Sequence, residues 1–130
     1  PEANAFVEKF YERFPDTPYV NQEAANSYIA MYLYKQMVER ADGSTDKEDL
    51  RDVIAEGDVC FDGPSGRVCL DPKSQHMSHN IFLAQVDANH EISFPETWEN
   101  IEPYWLGESG CDLTQNDPSA QYTPSSPPNE

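Results

Sequence analysis

The stretch NQEAANSYIAMYLYKQMVERA, residues 21–41, constrains the fold most. It has few helix breakers and sets apolar side chains on most of a helical circumference. A helix apolar on more faces than one neighbouring layer can cover needs a second layer or stays partly bare. The expectation is a central, largely buried helix in a chain that is marginal when isolated. Tyr28, Tyr32, Tyr34, Met31 and Met37 give it adaptable packing surface, and each tyrosine hydroxyl needs a partner or solvent. Asp42-Gly43 stops it.

On either side the patterning alternates between the two regular periods. Phe6, Phe10 and Phe14 recur at every fourth position beside Val7 and Tyr11, which predicts an amphipathic helix over 2–14 ending before Pro15, its aromatic stripe serving as core. STDKEDLRDVIAEG carries a helix-start signature. Ser44 or Thr45 caps, Glu48 takes the capping-box position, Leu50, Val53 and Ile54 form the buried face, and Gly57 follows the last turn. Strand pairs follow. DVCF and RVCL flank Gly63-Pro64-Ser65-Gly66, with Pro64 at the second place of a tight turn, and IFLAQVD and EISF flank Ala88-Asn89-His90. The predicted order is helices first, then two β-hairpins, within one compact unit. From about Glu108 the chain loses periodicity and becomes rich in Ser, Pro, Asn and Asp, as in an extended tail.

Charge narrows the function classes. The net charge is -16, Lys73 is the last basic residue, and acids continue through Asp87, Glu91, Glu96, Glu99, Glu102, Glu108, Asp112, Asp117 and Glu130. Such a surface repels phosphate backbones and anionic lipid, which sets aside nucleic acid and membrane surfaces as partners. No apolar stretch approaches the roughly 20 residues of a membrane span, so no direct membrane insertion is expected. The acid excess itself reads as a solubility feature.

Reactive side chains are sparse. Cys60 and Cys69 lie equally far from the Pro64-Ser65 turn centre. A symmetric hairpin sets them opposite for a disulfide, whereas a bulge at Gly66 leaves two small buried apolar groups. Cys111 is left over. His76 and His79 stand three apart with His90 further on, a spacing that ligates zinc when a helix or tight loop holds it. With no cysteine pair or HExxH motif alongside, both read as loop anchors. GPSG lacks the lysine and following helix of a phosphate-binding loop, no nucleophile elbow is present, and carboxylate pairs such as Glu56 with Asp58 or Glu91 with Glu96 arise by chance in so acidic a chain. No catalytic residue, cofactor or metal is assigned.

Taken in succession, NAFVEKFYERFP, EAANSYIAMYLYKQMVERA, GSTDKEDLRDVIAEG and FDGPSGRVCLDPKSQHMSHNIFLAQVDANHEISF resemble the C-terminal part of type 1 periplasmic solute-binding proteins. The closest branch binds urea and short-chain amides and includes the amidase-regulator proteins. The resemblance covers residues 4 to about 98 and is strongest from Phe61 to Val86. It implies an α/β fold of two αβα lobes joined by three hinge strands, with the ligand clamped between them. Family members are roughly three times this length, so the chain reads as 1–107, a C-terminal segment of a solute-binding domain, followed by 108–130, the tail.

The resemblance implies a ligand-binding module without catalysis. Its partners would be a small polar solute and the membrane permease of an ABC transporter, in the periplasm or outside the cell. The first alternative is an amide-sensing regulator of the same fold with a cytoplasmic signalling partner; a metal-dependent enzyme built on His76, His79 and a carboxylate, and a stand-alone acidic interaction domain, rank below it. The resemblance also implies that the segment before the long helix comes nearest the cleft, which maps ligand contacts onto Gln22, Glu23 and Tyr28; Tyr and Glu at a helix start suit the lining of a cleft for a neutral amide. The same residues also have a plain structural reading, with Tyr28 in the core and Glu23 favoured by the helix dipole.

Overall fold

The computed structural model describes residues 2–105 and 112–115. Three helices, α1 (Glu2–Arg13), α2 (Gln22–Arg40) and α3 (Lys47–Glu56), precede four strands, β1 (Cys60–Gly63), β2 (Gly66–Cys69), β3 (His79–Val86) and β4 (Ile92–Ile101). The strands form two separate antiparallel pairs, β1 with β2 and β3 with β4. The result is the mixed α/β architecture, helices then hairpins, that the patterning predicts.

Local chemistry sets the helix boundaries. The Asn21 side chain accepts from the Ala24 N–H at 3.0 Å and caps α2. At the other end Asp42 turns left-handed (φ 51°) and the Gly43 N–H reaches back to the Val38 carbonyl at 2.8 Å, closing the last turn. The α3 cap is Asp46, whose carboxylate accepts from the Glu48 N–H at 2.9 Å, rather than Ser44 or Thr45. Ser44 is diverted to the Asp49 carboxylate and to the Asp46 N–H. Several capping residues in succession compete for the same orphan amides, and the carboxylate nearest the first turn wins.

The core is small. Ile29 and Leu33 of α2, Val53 of α3, Val59 before β1 and Val68 of β2 pack together, with Met37, Ala41, Phe61, Leu70 and Met77 around them. This corrects the expectation of a largely buried α2. Ile29 and Leu33 are its buried residues, while Met31 is 65% exposed and Tyr32 and Tyr34 are both 40% exposed. The first aromatic stripe is likewise graded: Phe6 is buried, Phe10 half-buried and Phe14 exposed. α3 buries Val53 and Ile54, with Leu50 half-buried.

The first hairpin is symmetric, with Cys60 opposite Cys69 and Gly63 opposite Gly66. No bulge intervenes, and Cys60 and Cys69 form a disulfide across a 4.1 Å Cα separation. That spacing belongs to a non-hydrogen-bonded pair, in which both residues aim their backbone groups outward. Each outward edge has a partner. The Gln36 amide of α2 donates to the Cys60 carbonyl and accepts from its N–H, both at 3.1 Å. Beyond β2, the Cys69 carbonyl accepts from the Ser78 N–H at 2.9 Å. Both free edges are thus covered, which guards a short hairpin against mispairing.

The second hairpin is longer than IFLAQVD and EISF suggest, because β4 continues through Pro95 and Trp98 to Ile101. Its register shifts between His79 and Ile81 and again between Leu83 and Gln85, and the extra residues fall on β4. Pro95 sits at the second shift, where a bulge tolerates a residue without an N–H. Of the tail expected from residue 108, only 112–115 are described, with the Leu113 N–H donating to the Lys73 carbonyl at 2.7 Å. Cys111 lies outside the described residues.

Candidate functional site

α2 holds the three residues singled out for ligand contact. Gln22 and Glu23 are exposed in its first turn, directly after the Asn21 cap. At about 100° of rotation per residue, Glu23 lies about 140° and Gln22 about 120° round the helix from Tyr28. The helix therefore keeps Gln22 and Glu23 next to one another on its first turn and sets Tyr28 on a different face.

Tyr28 is half-buried in an aromatic run. Its ring lies 4.9 Å from Phe6 of α1, 4.8 Å from Tyr32 one turn on, and 6.1 Å from Phe61 of β1. Tyr32 in turn stacks on Phe61 at 4.6 Å with the planes 9° apart. The hydrogen bond between the Tyr28 and Tyr32 hydroxyls, then burial, then the charge Tyr32 would carry, push the Tyr28 pKa up from its ordinary value. A neutral phenol is what such a cluster favours. Tyr28 therefore ties α1 and β1 to α2, and Gln22 and Glu23 are the two with polar groups open to solvent.

A cleft of about 320 Å³ lies elsewhere, at the root of both hairpins. The acidic residues Glu56, Asp58, Asp71 and Glu102 and the disulfide cysteines Cys60 and Cys69 are among its lining residues. Sequence reasoning dismissed Glu56 with Asp58 as a chance pair; the fold brings them together with two acids distant in sequence, a proximity that no local pattern signals. The Ser74 hydroxyl and then its backbone N–H hydrogen-bond Asp71 and hold its carboxyl below the usual range, against the upward push of burial. Asp71 is thus a dependable negative charge on that wall. Arg40 binds the Gly57 carbonyl at 2.7 Å and Glu56 at 3.2 Å, fastening the end of α3 to α2.

The loop after β2 does not gather the histidines into a ligand set. His76 is exposed and contributes its backbone carbonyl, which accepts from the Asp71 N–H at 2.8 Å, while His79 begins β3 and His90 sits at the far hairpin turn with φ 64°. Among the described residues no group of three or more His, Cys, Asp or Glu side chains is placed to hold a metal ion. Among the same residues no helix is long and apolar enough to cross a membrane.

Comparison with known proteins adds one positive finding. The profile of a family described as periplasmic binding protein matches residues 1–91, from the first helix to the turn between β3 and β4. No curated protein matches the chain.

Proposed function

The chain belongs to the periplasmic binding protein family, a family of solute-binding proteins that are generally not enzymes, and from that premise we propose that it forms one flank of a clamp for urea, a short-chain amide or a related small polar solute. The observation that carries the reading is the bare side of α2. A helix that buries Ile29 and Leu33 on one side yet leaves Met31 and Tyr34 exposed on the other, among the described residues, has the surface of an element meant to be covered by a further layer. Residues 1–107 are then the C-terminal segment of the solute-binding domain and 108–130 its acidic tail.

The chemistry suits a neutral amide. Urea and acetamide offer several N–H donors and one carbonyl acceptor. The Glu23 carboxylate accepts from the former and the Gln22 amide donates to the latter, both from the solvent-facing first turn of α2. Tyr28 supports that turn from behind through Phe6 and Phe61. Function follows from closure: the solute binds the closed form better, shifts the population towards it, and the closed surface is what the permease of an ABC transporter reads in the periplasm or outside the cell.

Calorimetric titration of the full-length polypeptide with urea, acetamide and leucine tests this. Saturable heat is expected with urea or acetamide, and Glu23→Gln should weaken binding about tenfold, equivalent to about 1.4 kcal/mol. Heat with leucine alone would move the protein to a different branch of the family, and no heat with any of the three would overturn the solute reading.

A further inference from the structure

We propose that Asn80 is a latch that sets the angle between the β3–β4 arm and the body of the chain, and with it the width of the acidic cleft. Among the described residues the arm has no core beneath it. Every residue from Ile81 to Glu102 is exposed, including Phe82, Leu83, Phe94 and Trp98, at 44–60% of their surface. Apolar packing therefore stops at Met77, which lies against the core, and the last buried anchor is Ser78, 5% exposed and bonded to Cys69. What lies beyond is oriented by polar contacts at the root.

Asn80 supplies those contacts from both ends of its amide. Its Nδ2 donates to the Ser65 carbonyl in the turn of the first hairpin at 3.1 Å, and its Oδ1 accepts from the Asn100 N–H at 2.9 Å. Asn100 is one of the extra residues of the first register shift and stands in the left-handed region at φ 55°. A bulge leaves an N–H without a ladder partner, and Asn80 satisfies it. The turn has made room for this contact: a Cβ on Gly66, itself at φ 98°, would collide with the Asn80 amide. One side chain thus joins the turn of one hairpin to the bulge of the other.

The latch matters because the arm's root is a wall of the cleft. Asn100 and Glu102 line it together with Glu56, the last residue of α3, and Asp58 just beyond it. A pivot at Asn80 moves Asn100 and Glu102 relative to those acids. The two hydrogen bonds of Asn80 hold the arm against such a pivot.

The inference stands apart from the solute reading, and its test uses no solute. Residual dipolar couplings are measured for the backbone amides of the body, 47–70, and of the arm, 79–101. In the unaltered chain both sets are expected to fit one alignment tensor. Asn80→Ala removes both contacts, so the arm couplings should shrink relative to the body and the Asn100 amide should lose exchange protection. Asn80→Asp separates the two functions: it keeps the acceptor for Asn100 but sets a carboxylate against the Ser65 carbonyl, so the arm should lose its common tensor while the Asn100 amide stays protected. Body chemical shifts report folding independently. A single shared tensor in Asn80→Asp with the body intact would overturn the latch, as would an Asn100 amide that exchanges equally in both variants.

Discussion

Ile29→Ala is expected to destabilise the chain by roughly 3–4 kcal/mol, read as a fall in the urea midpoint at unchanged slope. Ile29 is fully buried at the centre of a cluster drawn from two helices and the first hairpin. β1 rests directly on it: a Cβ added at Gly63 would lie 2.9 Å from the Ile29 Cγ1. The site cannot collapse to fill the void, because Gln36 grips Cys60 from α2 and the disulfide holds β2 to β1. A cavity that does not relax carries its full cost. Met31→Ala on the same helix, at 65% exposure, should stay within about 0.5 kcal/mol. An Ile29 effect as small as that of Met31 would show that the core lies elsewhere.

The second large effect belongs to the Cys60–Cys69 bond. Its partners are separated by nine residues in sequence. Freeing a loop of that size restores chain entropy to the unfolded state equivalent to about 2.5 kcal/mol. The double variant Cys60→Ser, Cys69→Ser should therefore lower unfolding free energy by about that amount, with the larger loss of amide protection in β1 and β2. The neighbouring bonds from Gln36 and Ser78 survive the substitution, so the hairpin is expected to form still. A double variant as stable as the parent would mean that the hydrogen bonds alone close the hairpin.

What the sequence disclosed was local. The stop of α2 at Asp42-Gly43, the extent of α3 up to Gly57 and the turn of the first hairpin follow from residues within a few positions of one another. The disulfide pairing sat between two alternatives, since a one-residue bulge at Gly66 separates the cysteines, and the register resolves it. What escaped was nonlocal. Gln36 and Asn80 carry no signal of their own, being polar residues whose partners lie 24, 15 and 20 positions away. β4 runs on past EISF because a bulge at Pro95 accommodates a residue without an N–H, a device that the alternation of EISF does not signal. The burial of α2 depended on which of its apolar faces finds a neighbour, a tertiary property no periodicity encodes. The separation of Tyr28 from Gln22 and Glu23 round α2 was by contrast readable from their numbering once the helix was granted.

The central claim is that these elements make one side of a larger binding domain, with α2 left bare along the face that another layer would cover. Backbone hydrogen exchange of the 130-residue chain addresses it directly. The account expects incomplete protection across residues 24–38, lowest on the turns that carry Met31 and Tyr34. Complete, uniform protection from 24 to 38 would contradict it, because such a helix needs no further layer.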